Sequence, residues 1–215
     1  MPPTDRFVIS FAAEPPQDTL PYGRWADTLR GHFMAACEEL DTEGEELGEI
    51  GEIKWFPDRT YGGRTYVPGV ARTSEDFEVF GFVSFAEGSG GPADFDATVD
   101  FTTETADENP DWQLDLNDEV IGEWRGEMGK RAEMTLVWGV PMIPNGLIVT
   151  AELANLAVDQ CEITEDRFTL VAPDNYRSDF LEVKLWDKSG RMLASESLYV
   201  EDEDDEDGSE DADEE

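Results

Sequence analysis

One stretch of the chain repeats at the period of a helix, and nearly everything else alternates at the period of a strand. Trp25, Leu29, Phe33, Ala36 and Leu40 recur at spacings of 4, 4, 3 and 4, which places them on one face of a 3.6-residue turn. Pro21 precedes the run and Gly44 follows it, so the pattern predicts a helix over about 22–40. Strand patterns run over 7–12, 50–56, 64–70, 77–85, 95–103, 134–138, 147–153, 167–171, 180–186 and 192–200. In 77–85 both faces are apolar, with Phe77, Val79, Val83 and Phe85 on one and Phe80 and Phe82 on the other; that is the signature of a central strand. In 95–103 Phe95, Ala97, Val99 and Phe101 point one way while Asp94, Asp96, Asp100 and Thr102 point the other, a half-buried strand with an acidic face.

Turn chemistry punctuates these runs. Tyr61-Gly62-Gly63 predicts a hairpin between the strands on either side, and Asp187-Lys188-Ser189-Gly190 predicts another between the last two. Stretches 88–92 and 106–110 read as loops. Strands and turns spaced at about ten residues imply a sandwich or barrel. The expected fold is mainly β: an antiparallel β-sandwich or barrel-like domain over 1–200, formed of two sheets, with one α-helix packed at its edge and an acidic tail over 201–215. No internal repeat survives comparison.

Charge sharpens this picture. The chain carries 15 basic and 52 acidic residues, a net −37. The tail alone holds 12 acids and no base; without it the balance is still −25. The tail has nothing to bury except Ala212 and is expected to be disordered. The body is acidic in its own right, and its bases are 11 Arg and only Lys54, Lys130, Lys184 and Lys188. Scarce lysine with abundant carboxylate resembles the proteins of organisms that accumulate salt internally. The physical reason is screening: at molar salt the Debye length is about 3 Å, and neighbouring carboxylates stop repelling. Direct binding to nucleic-acid phosphates, which needs clustered Lys and Arg, is excluded by the charge. There is no apolar run long enough for a membrane span and no basic-then-apolar leader at Met1-Pro2-Pro3-Thr4-Asp5-Arg6, so the expected location is cytoplasmic.

The chemistry-bearing residues are few. His32 lies at the edge of the helix stripe with no second histidine to help it bind zinc; it reads as a packed residue. Cys37 and Cys161 are distant in sequence and read as buried, reduced thiols. The run 107–119 gathers carboxylates with the amides Asn109 and Asn117, which makes Asp107, Asp111, Asp115 and Asp118 the weak candidates for a calcium site. The run lacks the central glycine and closing glutamate of a calcium loop, so solvated loop acids are the better reading. Gly88-Ser89-Gly90-Gly91-Pro92 lacks the lysine and following helix of a phosphate loop. No catalytic constellation, cofactor site or metal signature stands out.

Where aromatics and arginines concentrate, an interface is the natural expectation. Trp55, Phe56, Arg59, Tyr61, Arg64 and Tyr66 crowd one predicted hairpin, with Arg59 and Tyr61 expected to protrude furthest near its turn. The functional expectation is therefore a non-enzymatic, salt-adapted acidic module with a structural or protein-interaction role, its partner a protein or a second copy of itself. Three alternatives stay open: a hydrolase using an unrecognised Asp/Glu pair, an acidic decoy or chaperone for a basic partner, and a β-barrel subunit of a larger assembly.

Overall fold

The computed structural model describes residues 24–42, 44–125, 130–176 and 179–198. The expected strand over 7–12 and the tail over 201–215 lie outside these residues. Helix α1 (Arg24–Glu39) is followed by twelve strands: β1 (Lys54–Trp55), β2 (Arg59–Tyr61), β3 (Arg64–Arg72), β4 (Glu78–Gly88), β5 (Gly91–Thr102), β6 (Leu114–Arg125), β7 (Arg131–Pro141), β8 (Ile148–Leu153), β9 (Leu156–Glu162), β10 (Phe168–Asp174), β11 (Glu182–Trp186) and β12 (Met192–Ser197). Every pairing between them is antiparallel. The first sheet runs β1-β3-β4-β5, with β2 also on β3; the second runs β10-β7-β6; the third runs β12-β11-β8-β9.

Residue alternation stacks these sheets into layers. On one face of the first sheet, Val67, Ala71, Val79 and Val83 pack beneath Leu29, Phe33 and Cys37 of α1. On its other face Tyr66, Val70 and Phe82 meet Met134, Leu136, Trp138 and Val171 of the second sheet. The second sheet's far face, with Val137, Phe168, Leu170 and Ala172, packs on Val149, Ala151, Val183 and Leu185 of the third. The order is helix, sheet, sheet, sheet. Strands β4, β7 and β10 are apolar on both faces because they lie in inner layers, which confirms the central position expected for 77–85.

Two expectations are corrected. Among the described residues there are three sheets rather than two, and α1 lies across the face of the first sheet instead of at an edge. Gly81 in β4 lets β5 approach: a Cβ there would fall 2.1 Å from the Thr98 carbonyl oxygen of that neighbouring strand. The predicted turn is present: Gly62 and Gly63 have φ of +60° and +82°, as a two-residue hairpin between Tyr61 and Arg64 requires. The turn at 187–190 joins β11 to β12 as expected. There the Asp187 side chain accepts hydrogen bonds from the Ser189 and Arg191 N–H groups.

Candidate functional site

The contact between the first and second sheets changes character from one side to the other. Over β3, β4, β7 and β10 it is apolar. At β5 and β6, the outer strands, it is acidic. Alternation in β5 commits Phe95, Ala97, Val99 and Phe101 to α1, so Asp94, Asp96 and Asp100 take the opposite face. In β6, Leu114 and Leu116 enter the core shared with the third sheet, which turns Asp115, Asn117 and Glu119 toward the first. Both strands thus turn acids toward the seam between the two sheets along one margin, where the charge of Asp100 in β5 reaches Glu119 in β6.

At one end of this margin charges from four strands converge: Lys54 of β1, Arg72 of β3, Glu78 of β4 and Asp115 of β6. Arg72 and Glu78 are direct cross-strand partners. The Arg72 guanidinium, however, bonds outward, donating to the Asp76 carbonyl at 2.9 Å, Thr105 Oγ1 at 3.2 Å and Asp107 Oδ2 at 2.9 Å. It secures the turn at 105–107 and leaves the two carboxylates weakly compensated. Burial, and then the charge on Asp115, push Glu78 up to about 7 against the pull of Arg72 and Lys54. Burial also raises Asp115, again opposed by Arg72 and Lys54. Further along β6, burial raises Asp118 with help from Asp174, and raises Glu119 with help from Asp118 and Asp100. Chemically, the Glu78 end is a carboxylic acid that keeps its proton near neutrality beside a carboxylate, the state a general acid needs.

The residues of the aromatic hairpin are placed differently from their expected exposure. Phe56 and Tyr66 are buried between the first and second sheets. Trp55 stacks edge-on against Phe33, ring centres 5.7 Å apart, and its carbonyl accepts the Arg167 guanidinium at 2.7 Å. Tyr61 donates its hydroxyl to the Glu123 carbonyl at 3.1 Å and its ring lies against Gly122. Arg64 is half-buried and bonds Asp94 and Ser84. Arg59, expected to protrude, is instead 2% exposed. It pairs with Asp159 of β9, whose Oδ2 also accepts the Val171 N–H of β10 at 2.9 Å. One ion pair therefore pins all three sheets together. The physical reason for this correction is that a guanidinium among Trp and Phe is held inside when a buried carboxylate waits for it. Burial pushes the Asp159 carboxyl up, against the pull of Arg59 and the Val171 N–H. Sequence reading missed Asp159, although an acid set between Val158 and Cys161 in an apolar strand was its visible signal.

The four weak calcium candidates do not converge. Asp115 faces the first sheet, while Asp118 takes the other side of β6, opposite Val137. Asp107 is held by Arg72 and Asp111 is exposed in a turn. Among the described residues no group of three or more His, Cys, Asp or Glu is arranged to hold a metal ion. His32 stacks flat on Phe95 at 4.7 Å, and so packs as expected. Cys37 and Cys161 are buried and unpaired. Burial pushes their thiols up to about 11 and about 12, respectively, far from a reactive thiolate.

Compared with protein-family models, with curated proteins and with solved structures, the chain matches none. Among the described residues no helix is long and apolar enough to cross a membrane.

Proposed function

We propose that the protein is a non-enzymatic, salt-adapted acidic module of a salt-rich cytoplasm, with a structural or protein-interaction role, and that the β5–β6 margin is the face it offers to a partner. The observation that carries this reading is the crowding of carboxylates on β6. Asp115 and Glu119, both turned toward the first sheet, are raised by burial, and the neighbouring Asp107, Asp118 and Asp100 add like charge that Arg72 and Lys54 offset only in part. Such an arrangement costs stability in dilute buffer and becomes tolerable when counterions are dense. The aromatic hairpin supports the placement of the interface by subtraction, since its Phe56, Arg59 and Tyr66 are consumed inside the fold.

The decisive experiment is thermal unfolding across KCl from about 0.1 M to about 3 M, well past the range where simple screening saturates. A melting temperature that keeps climbing into molar salt supports the reading, and a flat one overturns it. Sedimentation in molar KCl, with and without a polylysine probe, then separates self-association from capture of a basic partner.

A carboxylate-based hydrolase is the second reading, favoured by one observation: Glu78, raised to about 7, beside Asp115. A panel of chromogenic glycosides in molar KCl tests it. Turnover abolished by Glu78→Gln would establish it; absence of turnover by the wild type would remove it.

A further inference from the structure

Strand β6 is fastened to the first sheet by two different means at its two ends. At the 121–124 end the fastening is apolar and directional: Ile121 and Trp124 join the shared core, and Tyr61 lies on Gly122 and bonds the Glu123 carbonyl. At the 115–119 end it is electrostatic. The charged groups around that end are Lys54, Arg72, Glu78 and Asp100 from the first sheet, Asp107 from the following turn, Asp174 from β10, and Asp115, Asp118 and Glu119 of β6 itself. Between the two ends a bulge shifts the register at Val120/Gly122, the kind of irregularity at which a strand bends. Along its backbone β6 pairs only with β7 among the described strands.

We propose that β6 is a proton-responsive strand, in which ionisation of Glu78 opposite Asp115 loosens the 114–119 end from the first sheet while the 121–125 end stays anchored beyond the bulge. Asp115 ionises first, and its charge keeps Glu78 protonated toward neutrality. While Glu78 is neutral, Lys54 and Arg72 face the half-buried Asp115 without a second carboxylate beside it in β4. Once it ionises they face both, with Arg72 already engaged by Asp76, Thr105 and Asp107. The uncompensated repulsion acts across the two sheets at the end of β6 that has no apolar anchor to the first. This device is independent of whether the protein is an interaction module or a hydrolase, because it rests on how β6 is fastened to the first sheet.

Amide hydrogen exchange tests it, with rates corrected for intrinsic exchange and compared between about pH 6 and about pH 8.5. In the wild type, protection in 114–119 is expected to fall at least tenfold relative to 121–125 and to β8. Glu78→Gln, which keeps that position neutral, is expected to hold the low-pH protection at high pH, and Asp115→Asn to do the same from the other side. If 114–119 and 121–125 respond together in the wild type, or if a folded Glu78→Gln protein follows the wild-type curve, the proposal is wrong.

Discussion

The contact between the second and third sheets and the contact between the first and second are built from different materials. The former is dry through its middle: Val137, Phe168, Leu170 and Ala172 meet Val149, Ala151, Val183 and Leu185, all at or near zero exposure. The latter is also dry in its middle, around Met134, Leu136 and Trp138. It is, however, closed at one side by the buried Arg59–Asp159 pair and lined by carboxylates along β5 and β6. Apolar burial is indifferent to pH and to moderate salt, while the acidic margin depends on both. The second and third sheets thus form the part of the molecule less sensitive to pH and salt, and the seam with the first sheet is the part that registers the medium.

The sharpest way to break this comparison is at its dry side. Phe168→Ala, at zero exposure and packed between two sheets, should cost about 3–5 kcal/mol, equally at low and molar KCl; denaturant unfolding at both salts checks the size and the indifference. Next comes the pin. Arg59→Met leaves Asp159 buried without its cation and should cost about 3 kcal/mol. The double change with Asp159→Leu should recover most of that loss, so a double-mutant cycle separates pairing from packing.

A smaller effect is expected from pH. Glu78 is raised in the folded state from its ordinary 4.5 to about 7, so the native protein holds a proton that the unfolded chain releases. Its contribution is complete below about 4.5 and is lost as pH rises through about 7. Melting temperature should accordingly rise on acidification from pH 8 toward pH 5, and Glu78→Gln should flatten that rise. At more acid pH the sign reverses at Asp187, whose bonds from Ser189 and the Arg191 N–H hold its carboxyl down at about 2. Its stabilisation is present above the ordinary 3.8 and disappears as pH falls through about 2. The smallest effect belongs to the tail: deleting 201–215 removes 12 acids and no apolar residue but Ala212, and should move stability by no more than about 0.5 kcal/mol.

Legibility in the sequence followed the same division. Strands with one dry face, such as β5, or two, such as β4, could be read directly, because Phe95-x-Ala97-x-Val99-x-Phe101 and the doubled pattern of 77–85 leave little choice. The helix was readable too: Leu29 and Phe33 are 2% and 0% exposed. Strand β6 was not, since Asp115, Asn117, Asp118 and Glu119 put polar groups on both of its faces and imitate a solvated loop. With β6 and β9 hidden, the strands could be grouped into two layers but not three. The candidate site suffered most. Alternation says which face a carboxylate takes, but only tertiary packing decides that Glu78 and Asp115 share one margin, or that Arg59 finds an acid 100 positions away.

That separation also sets a timetable for the newly made chain. Arg59 leaves the ribosome with its hairpin, while Asp159 is still 100 residues from being synthesised; at 5–20 residues per second the wait is about 5–20 s. Until β7 emerges with Met134, Leu136 and Trp138, the first sheet has its helix above it but no second sheet below, so Phe56, Tyr66 and Phe82 face water beside a cation meant for the interior. Only after β9 and β10 emerge can the guanidinium be drawn inward and the three layers closed. The protein's period of greatest exposure to aggregation and proteolysis is thus written into its chain order: it begins with the first hairpin, eases when β7 covers the aromatics, and closes when one aspartate arrives.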